Sequence, residues 1–191
     1  MGISTAVLLG LVVVTLVYGV LVYNGLVNLK HGVAKAWANI DVLLKQRHDE
    51  LPKLVEVCRQ YKHFEQATLA RVTEARARVA AAREAHDVGA LGAAEGMLRA
   101  GLGQIFAVAE AYPELKANEH FMQLQSRISA LENGIADRRE LYNDAVNVLN
   151  VRIEQFPDLI IARLFAFVSQ PLLQFSSAEK ADIDLKALFS A

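Results

Sequence analysis

With 191 residues the chain is long enough to bury a sizeable core, and its 20 Lys and Arg nearly cancel its 21 Asp and Glu. No global field therefore speaks for a nucleic-acid partner. Apolar residues make up 53% but aromatics only 7%, with four prolines, a balance that favours helix. The single cysteine, Cys58, excludes an intramolecular disulfide framework and a cysteine metal cluster.

Residues 1–29 hold no charged side chain, so every charge lies from Lys30 onward. Within them Ile3 to Val22 is a 20-residue apolar stretch, about 30 Å long as a helix and so matched to the hydrocarbon of a bilayer. Ile3, Leu9, Leu11, Val14, Leu16, Val17, Val20 and Val22 are the anchor residues of this span, and its few hydroxyls can bond their own helix backbone. Tyr18 and Tyr23 fall near its end, where aromatic belts sit. A basic leader and a small-residue cleavage site are both missing, so the stretch reads as an uncleaved anchor over residues 1–23 and not as a signal peptide. Lys30 and Lys35 follow the span and no Lys or Arg precedes it, which predicts a single-pass protein of the cytoplasmic (inner) membrane with its helical part in the cytoplasm.

Beyond the span the prolines punctuate helical patterns. Helix one is expected to leave the membrane and run to about Asp49, with Leu26, Val33, Trp37, Ile40 and Leu44 as its apolar seam. Pro52 suits the first position of a second helix reaching Ala85 along Leu54, Cys58, Tyr61, Thr68, Val72, Ala75, Val79 and Ala82, a seam interrupted at Glu65. A third helix over Ala90 to Tyr112 carries Leu91, Ala94, Leu98, Gly101, Ile105 and Val108. In the fourth, capped by Asn118 and running to Phe156, steps of three and four link Phe121, Leu124, Ile128, Leu131, Ile135, Arg138, Tyr142, Ala145, Leu149, Arg152 and Phe156. That period of 3.5 is the mark of bundle or coiled-coil packing. The expected fold is all-α: an N-terminal transmembrane helix followed by an up-and-down antiparallel four-helix bundle with long helices over residues 24–157, then an apolar segment and short tail over 158–191. In that last segment Ile160, Ile161, Leu164, Phe165 and Phe167 are candidates for a membrane-interface or subunit contact.

Several strings resemble the LemA family of bacterial membrane proteins. They include Tyr23-Asn24-Gly25-Leu26-Val27 after the span, Ala36-Trp37-Ala38-Asn39-Ile40-Asp41-Val42, and Asp49-Glu50-Leu51-Pro52-Lys53-Leu54. Most specific is Glu110-Ala111-Tyr112-Pro113-Glu114-Leu115-Lys116-Ala117-Asn118-Glu119. The resemblance implies one N-terminal span, a four-helix bundle and no enzymatic activity. A magnetosome protein belongs to the same family, which implies membrane organisation as a theme. Helix three departs mildly, being rich in glycine at Gly92, Gly96, Gly101 and Gly103.

No Glu has a His three positions later and there is no H-E-x-x-H, phosphate loop or G-x-S-x-G, so no catalytic, cofactor or metal residues are assigned. The five histidines are scattered. Asp41, Arg47 and Asp49 near the helix-one seam, with Arg138 and Arg152 on that of helix four, are either solvated or form a buried polar network, in which an interior charge must be paired. An acidic contact to Arg138 or Arg152 is the expectation. The functional expectation is a membrane-anchored scaffold without cofactor that engages the bilayer, self-associates as a homo-oligomer and organises membrane or partner proteins. The alternative is a monomeric adaptor or sensor that binds a peptide, lipid or regulatory protein in a groove.

Overall fold

The computed structural model describes residues 2–61 and 64–174, and every regular element among them is a helix. In chain order these are α1 (Ile3–Arg59), α2 (Gln66–Glu84), α3 (Val88–Ala109), α4 (Pro113–Lys116), α5 (Glu119–Glu154) and α6 (Asp158–Leu164). The all-α class read from the sequence is the class found. The chain divides into two compact units, Met1–Ile40 with Asp137–Leu172, and Asp41–Ala136 with Leu173–Ala191. Both α1 and α5 contribute one end to each unit.

The second unit gathers the end of α1, all of α2, α3 and α4, and the start of α5. Its core is aliphatic, with Leu44, Leu51, Leu54, Val72, Val79, Leu91, Leu98, Ile105 and Ile128 buried, and burial of such stripes supplies most of the stability of helices like these. Paired contacts fix the directions. Arg76 and Arg83 of α2 meet His48 and Asp41 of α1, and Arg127 and Glu132 of α5 meet Glu50 and Arg47. Each pair runs in opposite order along its two helices, so α2 and α5 are antiparallel to α1. Gly101 of α3 lies where a Cβ would stand 2.8 Å from Val72 Cγ2, so the missing side chain is what lets α3 close onto α2. Two caps match residues and geometry: Asp87 Oδ1 accepts from Ala90 N at 2.9 Å and Asn118 Oδ1 from Phe121 N at 3.1 Å.

Pro52 corrects the expected helix boundary. It does not open a second helix but lies inside α1, which continues to Arg59. A helical proline removes one backbone donor and orphans the carbonyl four residues back. Here that carbonyl is His48 O, and Arg76 Nε of α2 donates to it at 3.0 Å. The chain reverses later, before α2, at the place where Glu65 interrupts the seam. Phe64 is buried there and packs on Tyr112 at a centroid distance of 5.9 Å.

The first unit holds α1 up to Ile40, α5 from Asp137, and α6 with the extended chain behind it. Trp37 and Tyr142 meet edge to face at 5.6 Å. The buried face of this half of α5 is Tyr142, Val146, Leu149 and Ile153, not the expected Tyr142, Ala145, Leu149 and Arg152. A strict 3.5 repeat drifts on a straight helix by about 20° per heptad. Over the length of α5 that carries Arg138 and Arg152 off the seam and onto its exposed side, and Phe156, two residues past its end, is exposed as well. The chain after α6 is tied back to α5, with Gln170 N donating to Asn150 Oδ1 and Asn150 Nδ2 donating to Gln170 O, each at 2.9 Å. Tyr142 OH donates to Pro171 O at 3.1 Å.

Candidate membrane-interface site

The apolar stretch of α1 forms an uninterrupted helix whose side chains from Ile3 to Leu21, apart from half-buried Gly19, are exposed, so Ile3, Leu9, Leu11, Val14, Leu16, Val17 and Val20 face outward while Val22 is buried. A helix this long, apolar and uncovered by the rest of the chain has the properties of a bilayer span. Thr15 Oγ1 donates to Leu11 O at 2.9 Å, so its hydroxyl carries no unmet hydrogen-bonding need into lipid.

At the end of this stretch α6 closes against α1. Ile161 Cδ1 lies 3.7 Å from where a Cβ of Gly19 would stand. Tyr23 packs on Phe165 in a tilted contact at 4.6 Å and meets Phe167 edge-on at 6.0 Å. The turn after α6 passes through Ala166 at φ 54°, with Phe167 N bonded back to Ala162 O at 2.9 Å, a left-handed cap that glycine usually fills. Arg152 Nε donates to Asp158 Oδ2, so the buried carboxylate that opens α6 is neutralised. Ala162 is buried, whereas Ile160 and Leu164 of α6 and Phe165 just past its end turn outward, at 57%, 72% and 53% exposed. Phe167 is half-buried. Between α1, α5 and the post-α6 chain lies an open cleft of about 410 Å³, walled by Tyr23, Val27, Leu149, Phe165 and Phe167 and rimmed by Lys30 and His31.

Of the charged residues singled out in the sequence, Arg47 is fully buried. Its two terminal nitrogens donate to Glu95 and Glu132, while its Nε has no hydrogen-bond partner among the described residues. Burial opposes the charge of Arg47, yet the two carboxylates outweigh it and hold its pKa above the ordinary value. Burial likewise pushes the Glu95 carboxyl up against the pull of Arg47. Glu132 is the more open of the two carboxylates, at 17% exposure against 3% for Glu95. Asp41 pairs with Arg83 at 2.7 Å, whereas Asp49 and Arg138 are exposed. Arg152 does meet an acidic partner, but at the start of α6 and not in this triad. Sequence periodicity did not single out Glu95, because its place beside the α3 seam acquires meaning only once α3 docks against α1.

Nothing in this triad couples a nucleophile to a base, and no cluster of three His, Cys, Asp or Glu converges among the described residues. Cys58 is enclosed, and burial pushes its thiol up to about 12, so it stays protonated and unreactive at neutral pH.

An exposed apolar helix at one end, an aromatic collar at its exit and an otherwise all-helical chain define a single-pass, membrane-associated helical protein. The LemA family model matches residues 36–186, and the chain belongs to the LemA family. Among curated relatives, magnetosome proteins MamQ 1 and MamQ 2 of Paramagnetospirillum magneticum are each 23% identical, over 87% of this chain and 70% of theirs. Protein LemA of Metamycoplasma hominis is 26% identical over 86% of this chain and 74% of its own. None of these names denotes an enzyme.

Proposed function

We propose that this protein is a non-enzymatic scaffold of the inner membrane that self-associates through its helices and organises membrane or partner proteins around a single anchor. The observation that carries the reading is a second apolar seam, on the outside of α5. Leu141, Val148 and Val151 are exposed there at spacings of seven and three, the spacing of residues that pack helix on helix. A seam of that kind left open in one copy is suited to the same helix of another, and one anchor per copy keeps the partners parallel. Two of its relatives are named as magnetosome proteins, in keeping with such a setting. Lys30 and Lys35 beyond the span favour a cytoplasmic helical part.

The test is the mass of the intact particle in lipid nanodiscs over a range of protein concentrations. Assemblies above one copy, dispersed by Val148→Glu, are expected. Particles that hold one copy at every concentration overturn the reading. Fusions of alkaline phosphatase or green fluorescent protein to the C-terminal end test the orientation, and phosphatase activity there would reverse it. The second reading, a monomeric adaptor or sensor that binds a peptide, lipid or regulatory protein, draws on the open cleft in the first unit.

A further inference from the structure

We propose that the cleft beside Tyr23 holds one anionic phospholipid of the surrounding bilayer, with the phosphate on Lys30 and His31 and the upper acyl chain along Tyr23, Val27, Phe165 and Phe167. The inference rests on the reading of α1 as a span and is independent of self-association.

Depth is the first argument. The uncharged part of α1, Ile3 to Leu29, is 27 residues, about 40 Å of helix, which equals a bilayer with its headgroup layers included. Lys30 and His31 are the first charged or titratable residues past it and so stand at the level of lipid phosphates. With these 27 residues centred on the bilayer, Tyr23 stands just inside the acyl boundary, so the cleft that begins there has its floor at acyl depth and its mouth at headgroup depth.

Chemistry is the second. The cleft combines an aromatic and aliphatic wall with the cationic and N–H donor groups of Lys30, His31 and Gln170, the mixed polarity of a phospholipid. Both rim residues are exposed, and among the described residues no carboxylate pairs with Lys30. A phosphate therefore meets an uncompensated ammonium that projects three donors. The pocket is also built and not incidental. The turn at Ala166 aims Phe165 and Phe167 onto Tyr23, and the Asn150–Gln170 pair pins the far wall. The exposed Leu164 and Val168 beside it would lie in the same lipid layer, where such side chains lose water contact.

The experiment is native mass spectrometry of the full chain released from mixed micelles containing phosphatidylglycerol or phosphatidylcholine. One retained phosphatidylglycerol per chain is expected, with phosphatidylcholine retained at least fivefold less. Lys30→Gln should weaken retention about fivefold, Lys30→Arg should preserve it, and Lys35→Gln, an equal change of charge away from the cleft, should leave it unchanged. Equal retention of the two lipids, no effect of Lys30→Gln, or an equal loss with Lys35→Gln overturns the proposal. Displacement of the lipid by millimolar inorganic phosphate would show a free-anion site instead and overturn it as well. Alkaline carbonate extraction separates this from the underlying reading. A chain that leaves the membrane defeats the span, while one that stays without lipid preference defeats only the cleft.

Discussion

The Arg47 guanidinium is closed off from water and shared by Glu95 and Glu132. Arg47→Met leaves two carboxylates facing each other in the interior, so the denaturant midpoint of the purified chain should fall by the equivalent of about 3–5 kcal/mol. Replacing all three by Met, Leu and Leu should recover most of that loss, because an apolar trio needs no pairing. His48 responds to pH. Burial first, then the Arg76 guanidinium bonded to its Nε2, pull its pKa below the ordinary value. The unfolded chain therefore binds the extra proton more readily, and stability present above about pH 6.5 is lost as pH falls through that value towards the folded pKa. Unfolding midpoints should be level above pH 7 and decline below 6.5, and His48→Gln, which keeps an acceptor without titrating, should decline less. Arg47 stood out in the sequence because a cation one turn from an apolar seam must be either solvated or paired. Its partners did not stand out, since the register of α3 and α5 against α1 is a property of docking and not of any one helix.

At the scale of the element, Pro52 and Arg76 act as one device across α1 and α2. Arg76→Ala should cost about 1–3 kcal/mol, the penalty for an orphaned carbonyl. In a Pro52→Ala background, where the backbone N–H returns to His48 O, the same change should cost far less. A double-mutant cycle on thermal midpoints measures the difference. The glycines of α3 divide in the same way. A Cβ on Gly92 would run into Gln174 O, a backbone atom that cannot swing aside, whereas Gly103 has open space. Gly92→Ala should lower the midpoint by about 1–3 kcal/mol, and Gly103→Ala should raise it by up to about 1 kcal/mol. Helix type and the caps at Asp87 and Asn118 follow from local chemistry, and the Asn118 cap was legible in advance. The end of α1 was not legible, because whether a proline stops a helix depends on what reaches the carbonyl it orphans, and Arg76 lies 24 residues away. The outer half of α5 slipped for a geometric reason, since a seven-residue count and a 3.6-residue helix part company over 36 residues.

For the whole molecule, the decisive element is the exposed apolar helix that begins α1. Arg at both Leu11 and Val14 places two charges in mid-span, at about 2.5–3.5 kcal/mol each. The chain should then move from the membrane pellet to the supernatant or to aggregates on carbonate extraction, while Lys35→Gln should leave it in the pellet. The span was the most legible feature of all, because 29 residues without a charge have few other uses. The collar at its exit was legible only as a list of apolar residues, since nothing in Phe165 or Phe167 alone says that Tyr23 is their neighbour. The chain also has a single tryptophan, Trp37, set edge-on against Tyr142 in the first unit. Its fluorescence is thus a reporter for that unit alone, whereas far-ultraviolet circular dichroism sums over every helix. Superimposing the two melting curves would reveal whether the halves of this protein melt as one cooperative body or in succession.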